Sequence, residues 1–288
     1  MTDAVTREGP EIRAATLADI PGIRSILIEH GNDGPTTIAD VVGPYLRHLV
    51  TTARAFVVPE GDRLAAFGAT VATGNGRHLT DLFVRTDRLG AGIGRPLLDR
   101  LFGADSPRST FASDDPRAMP IYIRAGMSPR WPGLYMVGPG AGVPAGGEDL
   151  EIEPADGGRL SGLESAWTGR DRPGDHRFWT SQADADPFVV LDRGEAVAIG
   201  CGRARQNSPE RVLDRLLIRP DNDALGPIYA ALRRVARGGQ VLALVPGPNP
   251  AVRPLLEAGF RIHERDTFMA SEPDLFDEVR LLPNPGML

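Results

Sequence analysis

The sequence predicts an α/β fold made of two tandem domains, each a mixed, mostly antiparallel sheet flanked by helices. Short apolar runs alternate with amphipathic stretches along the chain, which indicates strands mixed with helices. The order of these elements recurs after a Gly, Pro and Ala stretch at residues 138–149. Each half also contains a segment that ends in Ala-Gly before a large apolar residue, PRAMPIYIRAGM in the first and PAVRPLLEAGF in the second. We therefore predict a first domain over 1–138, a linker over 139–149 and a second domain over 150–288.

The first half shows strand and helix periodicities in turn. Ile20, Ile23 and Leu27 recur at helical spacing after a turn that Thr16 begins. The predicted elements, in order, are a strand and a helix within 11–31, a helix over 39–50, a hairpin over 54–72 that turns at 60–62, a strand over 77–84, a helix over 93–102, a strand over 109–113, a helix over 115–127 and a strand over 134–138.

The second half repeats this order. Its predicted elements are a strand over 150–156, a helix over 158–169, a hairpin over 187–205 that turns at Gly194, a strand over 212–220, a helix over 225–237, a strand over 240–247 and a helix with a turn over 249–262. DRPGDHRFW at 171–179 is a polar and aromatic cluster that either recognises a substrate or packs Trp179 onto its own domain. Cys201 lies in an apolar strand and is predicted to be an unreactive core residue.

Composition excludes several classes of function. The net charge of −6 and the pI near 5.5 lack the basic character that nucleic-acid binding needs, so we expect no nucleic-acid partner. The single cysteine excludes an intrachain disulfide and favours a reducing compartment. No uncharged apolar run is long enough to span a bilayer, so we expect a soluble, cytoplasmic monomer or homodimer without a membrane partner. All 32 basic residues are arginines, which excludes a Schiff-base lysine.

Gly90, Gly92 and Gly94 alternate where a predicted strand passes into a predicted helix. Glycines at such a junction allow a tight turn and leave backbone amides open to an anion at the helix N-terminus. A dinucleotide-binding fingerprint would need a glycine where Arg95 stands, and a nucleotide-hydrolase phosphate loop would need a lysine. A turn that only lets the helix pack close to the strand is the remaining alternative.

Two segments resemble signatures of the GNAT superfamily of N-acetyltransferases. LFVRTDRLGAGIGRPLL at 82–98 is similar to the acyl-CoA signature, in which an apolar-Val pair ends a strand and a Gln/Arg-x-x-Gly-x-Gly/Ala loop holds the CoA pyrophosphate with its amides. DPRAMPIYIRAGM is similar to the helix that follows in that superfamily. Leu89 stands where the superfamily has Gln or Arg. This difference matters little for pyrophosphate binding, because the backbone amides make the contact and every residue but proline supplies one. The resemblance covers residues 11–138 and, more faintly, the second half.

This resemblance implies that acetyl-CoA is the co-substrate and that no metal is needed. The implied CoA-binding residues are the strand end and the loop: Phe83, Val84, Leu89, Gly90, Ala91, Gly92, Ile93, Gly94 and Arg95. The histidines are too scattered along the sequence to suggest a metal site: His30, His48, His78, His176 and His263.

Acetyl transfer requires an amine that loses a proton and a leaving thiolate that gains one. Tyr122 stands four residues before Gly126, where the resemblance places the tyrosine that protonates the thiolate; the alternative is a tyrosine that only packs its ring. For the base, His78 and Asp81 are candidates on opposite faces of one predicted strand. An ordered water chain without a single essential base is a third possibility.

The second half lacks both chemical elements. Its loop has Gly226 followed by Pro227, which has no amide donor, and Asp221 and Asp223 would repel a pyrophosphate. No tyrosine occurs between Asn249 and Phe260. We therefore expect an N-acetyltransferase whose first domain is catalytic and acts on a small-molecule primary amine. The architecture is distantly similar to that of the mycothiol synthases, in which the second domain is the active one. The alternative function is a non-catalytic acyl-CoA-binding regulatory or scaffold protein.

Overall fold

The computed structural model describes residues 10–31, 43–74, 76–205 and 208–288. Within these residues the chain forms two compact units, which we describe separately. The first unit contains Met1–Ala72 and Leu79–Ser106, and the second contains Thr73–His78 and Pro107–Leu288. No helix in the described stretches has the length and apolar character needed to cross a membrane. The units do not follow the boundary predicted at 138–150, and the division into two successive domains stays a prediction.

The first unit packs three helices on a sheet whose strands lie in the order β1-β2-β3-β4. Its elements are β1 (Arg13–Ala14), α1 (Ile20–Glu29), α2 (Gly43–Thr52), β2 (Arg54–Glu60), β3 (Arg63–Thr73), β4 (Gly76–Val84) and α3 (Gly94–Phe102). Of these residues, Thr73 and Gly76–His78 belong to the second unit. The predicted hairpin is confirmed, because β2 pairs antiparallel with β3. Ile23, Leu46 and Phe67 are fully buried in the core that α1 and α2 form with the sheet. Residues 39–42 of the predicted second helix lie outside the described residues.

The second unit contains the remaining elements. They are β5 (Arg108–Ala112), α4 (Ala118–Arg124), β6 (Ser128–Pro139), β7 (Glu151–Pro154), α5 (Gly157–Thr168), α6 (Pro173–Thr180), β8 (Asp186–Asp192), β9 (Glu195–Ala204), β10 (Glu210–Ile218), α7 (Leu225–Ala236), β11 (Gln240–Pro246), α8 (Val252–Glu257), β12 (Arg261–Ala270) and β13 (Leu281–Leu282). The strand order is β5-β12-β6-β11-β10-β9-β8-β7, and β13 pairs with β10. The α/β fold class and its mixed, mostly antiparallel sheet are confirmed, since β10 pairs parallel with β11, whereas the pairs β10–β9, β11–β6, β12–β5, β12–β6 and β8–β9 are antiparallel.

The two halves of the sequence exchange a strand. β12, from the second half, lies between β5 and β6, and β6, from the first half, lies between β12 and β11. β6 and β12 pair antiparallel with each other along most of their length. Neither half of the sequence therefore completes this sheet with its own strands alone.

The repeated Ala-Gly segments form the same helix end. After α4, Met127 N donates to Tyr122 O at 3.1 Å, and Gly126 has φ +87°. After α8, Phe260 N donates to Leu255 O at 3.0 Å. This six-to-one bond beside a left-handed glycine is the Schellman cap, which satisfies helix carbonyls that would otherwise lack a donor. The sequence repeat thus has a local structural basis.

The stretch predicted as a linker packs onto α7. Val143 is buried, and Arg233 donates to the carbonyls of Pro144 and Gly146. Gly140 approaches the helix so closely that an added Cβ would lie 2.5 Å from the Cβ of Ala236. Glycine and proline here permit a close backbone contact with the helix, and the role of this stretch as a linker between two domains stays a prediction.

Candidate functional site

The glycine loop leads from β4 into α3, as the sequence predicts. Gly90 and Gly92 both have φ +80°, a left-handed conformation that side chains with a Cβ rarely adopt. A Cβ built on either residue would have no neighbouring atom within 4 Å, so the backbone here faces open space. The exposed loop is anchored by Ile93, which is buried just before α3 begins at Gly94. The shape is that of an open backbone cradle at a helix N-terminus.

Backbone amides are the anion-binding groups this loop offers. Gly94 and Arg95 begin α3, and amides of a first helical turn have no acceptor within the helix. Pro96 has no N–H, and the amide of Ala91 already donates to Arg88 O at 3.1 Å. The expectation that the loop leaves its backbone amides open to an anion is therefore wrong for Ala91, because this amide closes the turn that presents the others.

Arginines beside the loop are held by carboxylates. Arg85 is buried and donates to Glu60 and Asp87, whose pKa values are lowered chiefly by hydrogen bonds from neighbouring arginines. Arg88 donates to Glu60 at 2.8 Å, and Arg95 donates to Asp99 at 2.9 Å. Arg85 and Arg88 thus connect the start of the loop to Glu60 on β2, whereas the Arg95–Asp99 pair lies within α3. An anion at the loop would depend mainly on the amides and the helix N-terminus.

Asp81 lies on β4 three residues before the strand ends, and it has a half-buried partner that the sequence analysis missed. Tyr45 Oη, from α2, donates to Asp81 Oδ2 at 2.7 Å. Burial raises the pKa of Asp81, against the opposing effect of the Tyr45 hydrogen bond. Burial and the nearby carboxylate raise the pKa of Tyr45 well above its ordinary value, so the phenol keeps its proton and donates it to the bond. No sequence signal connects α2 to β4, since the pairing depends on how the helix packs on the sheet.

The strand end that the resemblance implies in CoA binding, Phe83 and Val84, is half-buried. His30 Nε2 lies 2.8 Å from the carbonyl oxygen of Val84, and the ring of Phe83 contacts the His30 imidazole with centroids 5.4 Å apart. The Val84 carbonyl therefore already has one partner, while a carbonyl can accept a second hydrogen bond. The predicted pairing at Phe83 and Val84 stays a prediction.

His78 belongs to the second unit and is fully buried. Its Nε2 lies 2.9 Å from Pro285 O, which can only accept, so Nε2 carries the proton. Nδ1 then accepts from Ser109 Oγ at 3.1 Å. Burial lowers the pKa of His78 to about 4, although the hydrogen bond to Pro285 O acts to raise it. A fully buried ring whose two nitrogens already have hydrogen-bond partners is not favoured as a base, because an amine would have to displace one of those partners.

Tyr122, the candidate acid, also belongs to the second unit. It lies on α4, and its side chain is buried. The same position at the cap of α8 is Leu255, which is fully buried and has no proton to donate. The catalytic role of Tyr122 stays a prediction.

The loop of the second half differs from the glycine loop in the way its amides are used. Asp223 accepts the amide of Gly226 at 3.3 Å, at the start of α7, and the next residue is Pro227. A carboxylate of the chain thus occupies the place where an anion would bind. Trp179, from the polar cluster at 171–179, is buried between Arg172 and Arg215, so it packs within its own unit. Cys201 is buried, and burial raises the pKa of its thiol to about 12, as an unreactive core cysteine requires.

Comparison with known proteins finds similarity in structure. No protein-family model matches the chain, and no curated protein sequence matches it. A protein of Pyrococcus horikoshii assigned as an acetyltransferase superimposes with a TM-score of 0.69 at 14% identity, covering 100% of this chain and 97% of its own. A GCN5-related N-acetyltransferase from Sphaerobacter thermophilus gives 0.58 at 17% identity, covering 95% and 98%. A tandem GNAT protein from the clavulanic acid biosynthesis pathway gives 0.63 at 14% identity, covering 93% and 99%. The chain therefore has the fold of the GCN5-related N-acetyltransferases, and it matches a tandem protein of that fold over nearly its whole length.

Proposed function

We propose that this protein is an acetyl-CoA-dependent N-acetyltransferase that acetylates a primary amine of a small molecule. The observation that carries the proposal is the glycine loop, where Gly90 and Gly92 adopt left-handed conformations directly before the first turn of α3. That loop follows β4 in a chain with the GCN5-related fold. An open backbone cradle at a helix N-terminus suits a pyrophosphate.

The loop fits the CoA pyrophosphate by shape and by chemistry. The open space around Gly90 and Gly92 leaves room for phosphate oxygens against the backbone. The amides of Gly94 and Arg95, at the start of α3, would donate hydrogen bonds to them, and the helix N-terminus would add favourable electrostatics. In this proposal the arginines beside the loop hold its shape and do not pair directly with the phosphates.

Asp81 is the base that the geometry favours. Acetyl transfer forms a bond between the amine nitrogen and the acetyl carbon and breaks the bond from that carbon to sulfur. The attacking amine must give up a proton, and the carboxylate of Asp81 would accept it directly or through a water. Burial raises the pKa of Asp81, which makes the carboxylate a better proton acceptor, and the 2.7 Å bond from Tyr45 fixes its orientation. His78, with both ring nitrogens occupied, is the weaker candidate.

The leaving sulfur requires a proton, and Tyr122 is the proposed donor. A tyrosine hydroxyl with an ordinary pKa near 10 can protonate a thiolate whose own pKa is near 8.5. This assignment rests on the resemblance of the α4 segment to the superfamily signature and on the absence of a tyrosine at Leu255 in the corresponding cap. The products are free CoA and an N-acetylated amine.

The proposal is tested by acetyl-CoA turnover over a panel of amines, with detection of the free thiol. We expect thiol release that depends on at least one amine and that Asp81→Asn strongly reduces. The panel includes amino sugars, polyamines and amino acids, with a blank that lacks amine. If acetyl-CoA binds but no amine raises thiol release above the blank, the chain is the non-catalytic acyl-CoA-binding protein instead.

A further inference from the structure

A segment near the end of the sequence fills the opening between two strands of the second unit. β10 and β11 pair in parallel only through residues 210–213 and 240–243. Beyond this point β10 pairs instead with β13, through Leu216 with Leu282 and Leu217 with Leu281. Because the other edge of β10 is paired with β9, β13 occupies the edge that β11 leaves. Residues 280–288, which we call the cleft segment, thus lie where parallel strands diverge.

The cleft segment is held along its length by backbone hydrogen bonds. The amide of Ile218 donates to Arg280 O at 2.8 Å, which extends the pairing with β10. His78 Nε2 donates to Pro285 O at 2.9 Å. Four of its apolar side chains are buried at 4% exposure or less: Leu281, Leu282, Met287 and Leu288. The addition of an extended segment to an open strand edge through main-chain hydrogen bonds is one way in which a sheet binds a peptide.

Two buried arginines hold the last two residues of the segment. Arg172 donates to the carbonyl oxygens of Met287 and Leu288, and Arg215 Nε donates to Leu288 O at 3.0 Å. Both guanidinium groups lie over the ring of Trp179, at 5.2 and 5.4 Å from its centroid. Glu164 accepts from Arg215 at 2.7 Å and from His176 at 2.7 Å, so the arginines are fixed from behind.

We propose that the opening between β10 and β11 is a peptide-binding groove and that the cleft segment is its resident ligand. The groove recognises an extended peptide through pairing with β10 and through hydrogen bonds that Arg172 and Arg215 donate to its carbonyl oxygens. The contacts on the segment are made by the backbone of β10, by His78, and by the side chains of Arg172 and Arg215. They are thus of the type that a separate peptide could also make. Peptide binding and the pKa of His78 can both be measured without CoA, so the result does not depend on acetyltransferase activity.

The experiment cuts the folded chain and exchanges the segment. A protease site replaces Glu272, Pro273 and Asp274, which are exposed. After cleavage, a fluorescent synthetic peptide of residues 276–288 is added, and its binding is followed by anisotropy. We expect exchange with a micromolar or tighter dissociation constant. Arg215→Gln should raise this dissociation constant at least tenfold, because Arg215 donates a hydrogen bond directly to Leu288 O. Arg219→Gln, which changes an arginine bonded to Asn222, is the matched control and should leave the constant within threefold.

A second measurement follows His78 in the cut protein by NMR. With the segment bound, the imidazole pKa should stay near 4, and after the segment is washed out it should rise towards the ordinary value of 6.5, because Nε2 and its surroundings gain access to water. The proposal is overturned if the cut chain unfolds as soon as the segment dissociates, since the segment is then part of the fold. It is also overturned if the peptide binds Arg215→Gln and the unaltered groove equally well.

Discussion

Replacing Asp81 with Asn should remove activity without weakening the fold. The loss of a positioned general base costs about 10²- to 10⁴-fold in turnover. Tyr45 Oη, 2.7 Å from Asp81 Oδ2, would still have an acceptor in the Asn side-chain oxygen, so the packing of α2 on β4 is kept. We therefore expect turnover to fall at least 100-fold while CoA affinity changes by less than about threefold, roughly 0.7 kcal/mol.

Asp81→Asn should also change how the stability of the protein depends on pH. Burial raises the folded-state pKa of Asp81, so the folded protein binds this proton more readily than the unfolded chain. Keeping the carboxylate ionised at pH 7 therefore costs stability, and the cost disappears as the pH falls below the ordinary aspartate pKa, about 3.9. Asp81→Asn should raise the melting temperature at pH 7 and leave it nearly unchanged near pH 3.5. Turnover of the unaltered enzyme should fall as acid protonates Asp81, at a higher pH than an exposed aspartate would give.

The chain contains a matched control for this experiment. Tyr135 Oη donates to Asp266 Oδ2 at 2.7 Å, and burial raises the pKa of Asp266 as well. Asp266→Asn therefore makes the same chemical change at a pair to which we assign no catalytic role, and it should keep turnover within about threefold. The assignment of Asp81 is refuted if its Asn variant retains more than a third of the activity, or if Asp266→Asn loses as much.

Three further predictions follow from the structure. Gly92→Val should weaken CoA binding about tenfold or more in calorimetry, since one lost hydrogen bond to a charged group is worth roughly 1.5–3 kcal/mol. The control for backbone strain is Gly194→Val, because Gly194 is a hairpin glycine with φ +83° and equally open surroundings. This control variant should leave the CoA affinity unchanged. Tyr122→Phe should lower turnover by about 10²-fold with CoA affinity nearly intact, and an equal loss of both would mark a packing residue. Glu164→Gln should cost about 3–5 kcal/mol in urea unfolding at pH 7, because it leaves buried arginines without their counter-charge. Burial opposes ionisation of Glu164, but Arg215, His176 and Arg172 together lower its pKa to about 2, so this stabilisation is complete above the ordinary pKa and is lost as the pH falls towards 2.

Features set by neighbours in sequence could be predicted. The β2–β3 hairpin, the start of α3 at Gly94 and the paired caps of α4 and α8 all follow from local turn and capping chemistry. The glycine loop was found for the same reason, because left-handed residues before a helix leave a direct signal in glycine spacing.

Features that depend on contacts between residues far apart in sequence could not be predicted. The apolar pattern of β12 is compatible with any partner strand, so nothing in it indicates that it enters between β5 and β6. β13 is two residues long and lies beside prolines, which hides it from periodicity. Tyr45 was missed because its contact with Asp81 spans 36 positions in sequence.

The most direct test of the account is a calorimetric titration of CoA into the whole chain. The glycine loop offers open backbone at residues 90 and 92, whereas Gly226 N is taken by Asp223 and Pro227 has no amide. Losing two such bonds to a charged group weakens binding by roughly 3 kcal/mol or more, at least two decades in affinity. We predict a stoichiometry near one CoA per chain and a dissociation constant that Gly92→Val raises about tenfold or more. A stoichiometry near two, or a dissociation constant that Gly92→Val leaves unchanged, would contradict the account.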